Sequence, residues 1–177
     1  EYGWPGWTRD CGKRFHRGCD IAPTRMEATG RSTRVMFSDG ATGREYESLE
    51  PTFVPDDPVF CIMNRRVVET NEREEDSDFG LFVVVQHGWP VSHRAFYSLY
   101  AHLARVEVCA GRVVAGGETL GRMGQTARDA DARNWMAITP HLHFEVWNDK
   151  GEPYDPALFL RRWLATESSS ISQSFIR

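Results

Sequence analysis

A mainly β architecture is what this sequence predicts: an antiparallel sheet with β-hairpin insertions and one short C-terminal helix. Three observations predict it. Most of the chain breaks into short runs of β-branched and aromatic residues. Gly-containing turns separate those runs. Only one segment, Pro156–Ala165, combines a proline suited to a first helical turn with an apolar stripe (Leu158, Leu160, Trp163, Leu164) at helical spacing. Many short strands with Gly-rich turns are the pattern of antiparallel β folds.

The elements follow in order. Glu1–Asp20 is rich in Gly, Trp and Arg without helical period, and reads as loops ending in a strand around Phe15–Ile21. Residues 23–57 carry prolines and two strand-like runs, Thr33–Ser38 and Arg44–Leu49, around an Asp39-Gly40 turn signal, and read as an inserted hairpin. Val59–Met63 and Arg66–Thr70 are short strands, and Asn71–Asp78 is an acidic run that reads as a solvated tip. Gly80–His87 reads as a buried strand, followed by Phe96–Leu103, Arg105–Val114 and Thr119–Met123. Residues 125–139 form a long polar loop with Trp135 and Met136, and His141–Trp147 is the last main strand. The whole reads as a single domain over 1–165 with insertions near 23–57 and 125–139, and a polar tail over 166–177.

At 177 residues the chain is long enough to close a core unaided. Its 21 basic and 25 acidic residues give a net charge of −4. That excludes a non-specific nucleic-acid binder, which needs a basic face to displace counterions. No apolar run reaches the roughly 20 residues of a membrane-spanning helix. Four cysteines, Cys11, Cys19, Cys61 and Cys109, allow two disulfides or four thiols, and the absence of C-x-x-C argues against a cysteine zinc knuckle.

The chemistry lies in the histidines. Along an extended strand side chains alternate faces. In His141-Leu142-His143-Phe144-Glu145-Val146, alternation puts both imidazoles and the carboxylate on one face and the apolar residues on the other. Two neighbouring imidazoles suit a metal ligand and an acid/base partner. A second group, His16-Arg17-Gly18-Cys19-Asp20, spaces a His and an Asp so that both can reach one cation over the sheet. In the third, alternation groups Phe96, Ser98, Tyr100 and His102 against Tyr97, Leu99, Ala101 and Leu103.

Taken together and in this order, F-H-R-G-C-D-I-A, V-V-V-Q-H-G, Y-A-H-L, G-x-x-x-x-G-x-x-G, P-H-L-H-F-E-V and Y-D-P resemble the lysostaphin/LytM-type zinc endopeptidases. The resemblance runs from about Tyr2 to about Leu164, interrupted by the two insertions. It implies an antiparallel sheet or half-barrel with a substrate groove, one Zn2+ per chain, and hydrolysis of peptide bonds in bacterial peptidoglycan. Carried over residue by residue, it makes His16, Asp20 and His143 the zinc ligands and His141 and His102 the catalytic imidazoles. His141 is assigned as base and His102 as its partner, with the two roles exchangeable. Glu145, Tyr100 and Trp135 are expected around the ligands or along the groove, and His87, ending a buried strand, is expected to be structural or to support the ligands. The H-L-H-F-E-V and Y-A-H-L wording leans toward members that cut D-Ala–diaminopimelate crosslinks.

A dication with two His and one Asp keeps net positive charge and one open position, so it can acidify a bound water and polarise a carbonyl. The chain lacks H-E-x-x-H, so a histidine has to take the water's proton. Alternation points Cys19 away from the metal; pairing it with Cys11 would staple the entrance loop, and Cys61 with Cys109 would then be the other pair. The expected partner is a peptidoglycan peptide and the expected state a monomer, working outside the cytoplasm. An inactive murein-binding or hydrolase-activating module of the same fold is the competing expectation, disfavoured because every ligand and catalytic position is present.

Overall fold

The structure, a computed structural model, describes residues 6–9, 14–21, 27–38, 45–54, 57–89, 94–128, 140–156 and 159–160. Its strands are β1 (Gly6–Arg9), β2 (Arg14–His16), β3 (Cys19–Ile21), β4 (Glu27–Ser38), β5 (Glu45–Val54), β6 (Pro58–Phe60) and β7 (Arg65–Asn71). They continue with β8 (Leu81–Gly88), β9 (Ala95–Val106), β10 (Val113–Val114), β11 (Thr119–Met123), β12 (Leu142–Asn148) and β13 (Pro153–Tyr154). Nine of them make one sheet, and every pairing in it is antiparallel. The expected fold class is borne out. Helical backbone starts at Pro156 and includes Phe159 and Leu160.

The centre of the sheet is β8, β9 and β12. Val83, Val85, Phe96, Tyr100, Phe144 and Val146 point to one face and form the main core with Leu103, Leu120 and Met123. Each such side chain contributes about 1.5–3 kcal/mol through burial. Phe82, Val84, Leu99 and Ala101 lie on the opposite face, joined by the half-buried Tyr97 and Trp147. Two buried faces explain the unbroken apolar run Leu81–Val85, since a strand covered on both sides has no polar side to alternate with.

Several boundaries differ from the sequence reading. Phe15–Ile21 is two strands, because the chain bends at Arg17-Gly18. The strand expected to begin at Arg105 is instead the end of β9, which runs unbroken to Val106. The strands of the hairpin read in residues 23–57 are longer than expected, with β4 pairing β5 from Glu27↔Val54 to Ser38↔Glu45. The acidic run contains a 3-10 turn at Glu74–Asp76 and is not merely solvated: Glu74 accepts the Ala127 N–H at 3.0 Å, and Asp78 lies 3.4 Å from Arg128.

Of the two readings left open for the cysteines, the described ones take the thiol: Cys19, Cys61 and Cys109 are free, so neither pairing considered above forms, and Cys11 lies outside the described residues. Cys61 points into the core and donates to the Met63 carbonyl at 2.9 Å, whereas Cys109 is exposed on the turn before β10. Burial, then the charges of Asp20 and Asp155, push the Cys19 thiol up to about 12, so it stays protonated and inert.

Candidate metal centre and active site

The site is built where β3 meets β12. Their register pairs His143 with Asp20, Leu142 with Ile21 and Phe144 with Cys19. His143 and Asp20 are therefore directly opposed across two strands. His16 needs a different device. On a continuous strand, residues four apart stand about 13 Å from each other. The bend at Arg17-Gly18 folds β2 back, and His16 Nε2 comes within 3.1 Å of Asp20 Oδ1. Gly18 permits this by lying against β12. A Cβ there would meet Phe144 O at 2.5 Å, Glu145 Cγ at 2.9 Å and His143 Cε1 at 2.9 Å.

Three donor atoms converge as a result. His143 Nδ1 lies 3.1 Å from His16 Nε2 and 3.0 Å from Asp20 Oδ1. Ligands at about 2.0–2.2 Å from a tetrahedral cation stand roughly 3.3–3.6 Å apart, so the triangle is close to that size. His16, Asp20 and His143 are the group among the described residues able to hold a metal. Glu145 completes the arrangement by accepting from His143 Nε2 at 2.9 Å. A carboxylate only accepts, so Nε2 carries the hydrogen and a neutral His143 turns its Nδ1 lone pair toward Asp20 and His16. A lone pair facing a carboxylate at this distance requires a proton or a cation between them. The donor set and its buried supporting carboxylate thus fit a small divalent metal.

The electrostatics follow from the contacts. When a proton and not a cation fills that gap, hydrogen bonds from His143 and His16 outweigh the burial that opposes the charge on Asp20 and hold the carboxyl well below the usual range. Burial also opposes protonation of His143, but Asp20 and Glu145 outweigh it and raise its pKa.

The two remaining imidazoles stand beside this triangle. His141 Nε2 is 3.8 Å from Asp20 Oδ1, and its backbone N–H donates to Gly124 O. The His102 ring centroid is 5.0 Å from that of His141 and 5.8 Å from that of His143. Burial, then the neighbouring His141 charge, lower the His102 pKa to about 3.

A family model matches residues 52–156, more than half of the chain: peptidase family M23. The chain belongs to that family. The matched stretch holds His102, His141 and His143, while His16 and Asp20 precede it, Asp20 joining through the β3–β12 register and His16 through the bend before β3. The fold of this M23 chain is similar to that of the catalytic domain of lysostaphin, the antimicrobial peptidase of Staphylococcus simulans. That match has 19% identity and a TM-score of 0.55, over 91% of this chain and 90% of that one. Intact lysostaphin gives 18% identity and a TM-score of 0.56, over 92% of this chain and 50% of its own length. No curated protein sequence matches.

Tyr100 of the M23 chain, expected around the ligands or along the groove, lies elsewhere, and His87 takes the structural place that was one of its two readings. Tyr100 is in the core, where its hydroxyl accepts from the Ile62 N–H at 2.9 Å and from Ser98 Oγ at 3.2 Å. His87 shares that face, with Nε2 2.7 Å from Ser98 Oγ and its ring stacked on Phe96. His102 leaves the face of Tyr100 because β9 carries a bulge. Leu81 pairs with Leu103 and Val83 with Tyr100, so two β9 residues oppose Phe82 alone. His102 takes φ +60° there, and alternation flips: Leu103 joins the core beside Tyr100, and His102 turns toward His141 and His143. Trp135 lies outside the described residues.

The structure also adds residues that the sequence reading passed over. Phe79, 37% exposed, stacks on the His143 ring at 5.7 Å and meets Phe82 edge-on. Thr126 O lies 2.8 Å from His102 Nδ1. Their only sequence signals were an aromatic after an acidic run and a polar residue opening a long loop.

Proposed function

We propose that this M23 chain is a zinc-dependent endopeptidase that hydrolyses peptide bonds in bacterial peptidoglycan stem peptides or crosslinks. The observation that carries it is the convergence of His16, Asp20 and His143 donor atoms at 3.0–3.1 Å, with two further imidazoles alongside. Zinc held there would act as a Lewis acid on a carbonyl and acidify a bound water.

The chain's own groups do the rest. Asp20 supplies the one anionic ligand, and Glu145 keeps the His143 Nδ1 lone pair aimed at the triangle. A carbonyl accepts only, so His102 Nδ1 donates to Thr126 O and the neutral ring presents Nε2 as an acceptor. An acceptor nitrogen on a neutral ring suits the base. This supports exchanging the two roles: His102 takes the proton of the attacking water, and His141, beside Asp20, stabilises the developing oxyanion or protonates the leaving amine. Phe79 offers an apolar wall for the substrate next to the His143 ring. No described helix is long and apolar enough to cross a membrane. A murein substrate places the enzyme outside the cytoplasm.

Purified murein sacculi of known crosslink chemistry, digested and analysed by mass spectrometry, test activity and bond together. Release of uncrosslinked stem peptides, starting with D-Ala–diaminopimelate bonds, is expected. Binding to sacculi without cleavage by the zinc-loaded chain would instead identify an inactive murein-binding module.

A further inference from the structure

Thr126 is tied to the proposed catalytic unit through three separate contacts. Its carbonyl accepts His102 Nδ1–H at 2.8 Å. Its hydroxyl donates to Leu103 O at 2.7 Å. The same hydroxyl accepts the Leu81 N–H at 2.9 Å. It thus bridges the residue after His102 to the first residue of β8, across the bulge that turns His102 toward the metal.

That bulge needs such support. His102 sits at φ +60°, a region that side-chain-bearing residues adopt at a cost and keep only when surrounding bonds over-determine it. The His102 N–H donates to Phe79 O at 2.9 Å, so the β7–β8 turn holds its backbone. That turn is itself fastened to the Thr126 segment. Gly80 has φ +58°, and a Cβ there would overlap the Thr126 backbone. Asn71 Nδ2 donates to Gly80 O, and Glu74 accepts the Ala127 N–H. Arg128 donates to Asp76 O at 3.2 Å.

We propose that Thr126 is a positioning residue, whose hydroxyl locks the β9 bulge so that its carbonyl fixes the His102 ring with Nε2 facing the metal site. The catalytic part of this rests on the function proposed above; the structural part does not. The hydroxyl is the element that mutation can remove, because the carbonyl belongs to the backbone.

The experiment compares zinc-loaded wild type, Thr126→Val and Thr126→Ser. It reads zinc content, long-range 1H–15N spectra of the imidazoles, and kcat and KM on murein. Wild type should show His102 as the Nδ1–H tautomer. T126V should keep zinc, lose the single His102 tautomer, and drop in kcat by about 10- to 100-fold with KM within a few fold. T126S should restore both. An Nε2–H tautomer at His102 in wild type overturns the proposal, even if T126V fails to fold. So does a T126V enzyme with unchanged His102 signals and kcat. A wild type inactive on murein would remove the proposed function, while the tautomer spectra would still decide the positioning role.

Discussion

Glu145 and His143 form a back-to-back pair: Oε1 of Glu145 takes the Nε2 hydrogen at 2.9 Å, and Nδ1 of the same ring faces Asp20 at 3.0 Å. The carboxylate fixes the tautomer and makes Nδ1 a better donor to a metal. Glu145→Gln keeps the shape and removes the charge. Zinc affinity should fall by about 10- to 100-fold, as supporting carboxylates of metal-bound histidines typically give. Competition with a chromophoric chelator measures it, and an unchanged affinity would leave Glu145 with packing alone.

Zinc and catalysis should separate between His143 in β12 and His141 just before it. His143→Ala should lose the metal, whereas His141→Ala should retain it and lose hydrolysis by about 100-fold or more. Elemental analysis and murein digestion read the two effects. A His141→Ala protein of full activity would remove His141 from the chemistry. Zinc affinity should also depend on pH with a definite sign. A proton on His143 competes with the metal, and Asp20 and Glu145 raise that pKa. Affinity should therefore fall about tenfold per unit as pH drops below the His143 pKa, and level off above it.

Gly18 should tolerate no side chain. Its Cβ position lies 2.5 Å from Phe144 O, and the backbone of β12 has little room to yield. Gly18→Ala should push the β2–β3 bend off β12, and with it His16 away from Asp20 and His143. The expected loss is about 1–3 kcal/mol of stability by overpacking, with weaker zinc binding than any stability change explains. Denaturant titration and chelator competition on the same sample separate the two. Normal zinc affinity in Gly18→Ala would show that the triangle does not depend on this contact.

The sequence carried the parts of the site that obey alternation. His143 and Glu145 share a face of β12, with His141 just ahead of the strand beside Asp20, and Leu142, Phe144 and Val146 share the core. It also carried the His16–Asp20 association, but by the wrong geometry, since a bend and not a continuous strand joins them. Where alternation breaks, legibility stops. The β9 bulge inserts one residue, so Tyr100 could not be separated from His102 by counting in twos. Long-range hydrogen bonds were equally hidden: Thr126 lies 24 residues from His102, and no local pattern announces a carbonyl that accepts from a ring. The thiols illustrate the same limit, because pairing depends on where Cys61 and Cys109 face, and one is in the core while the other is exposed.

His87, on the core face away from the metal, should make the fold acid-sensitive. It is 1% exposed, and burial lowers its pKa from 6.5 to about 4. Between those values the unfolded chain binds the proton and the folded chain does not. Stability therefore rises with pH through this window: the contribution is complete above about pH 6.5 and is lost as pH falls toward 4. One group gives a slope of about 1.4 kcal/mol per pH unit, or roughly 3 kcal/mol across the window. Other buried histidines titrate as well, so the informative quantity is a difference. His87→Gln cannot titrate there, and its urea-unfolding free energy should depend on pH less steeply than wild type by that slope between pH 4 and 6.5. Parallel pH profiles for the two proteins would mean that His87 is not held neutral by the core.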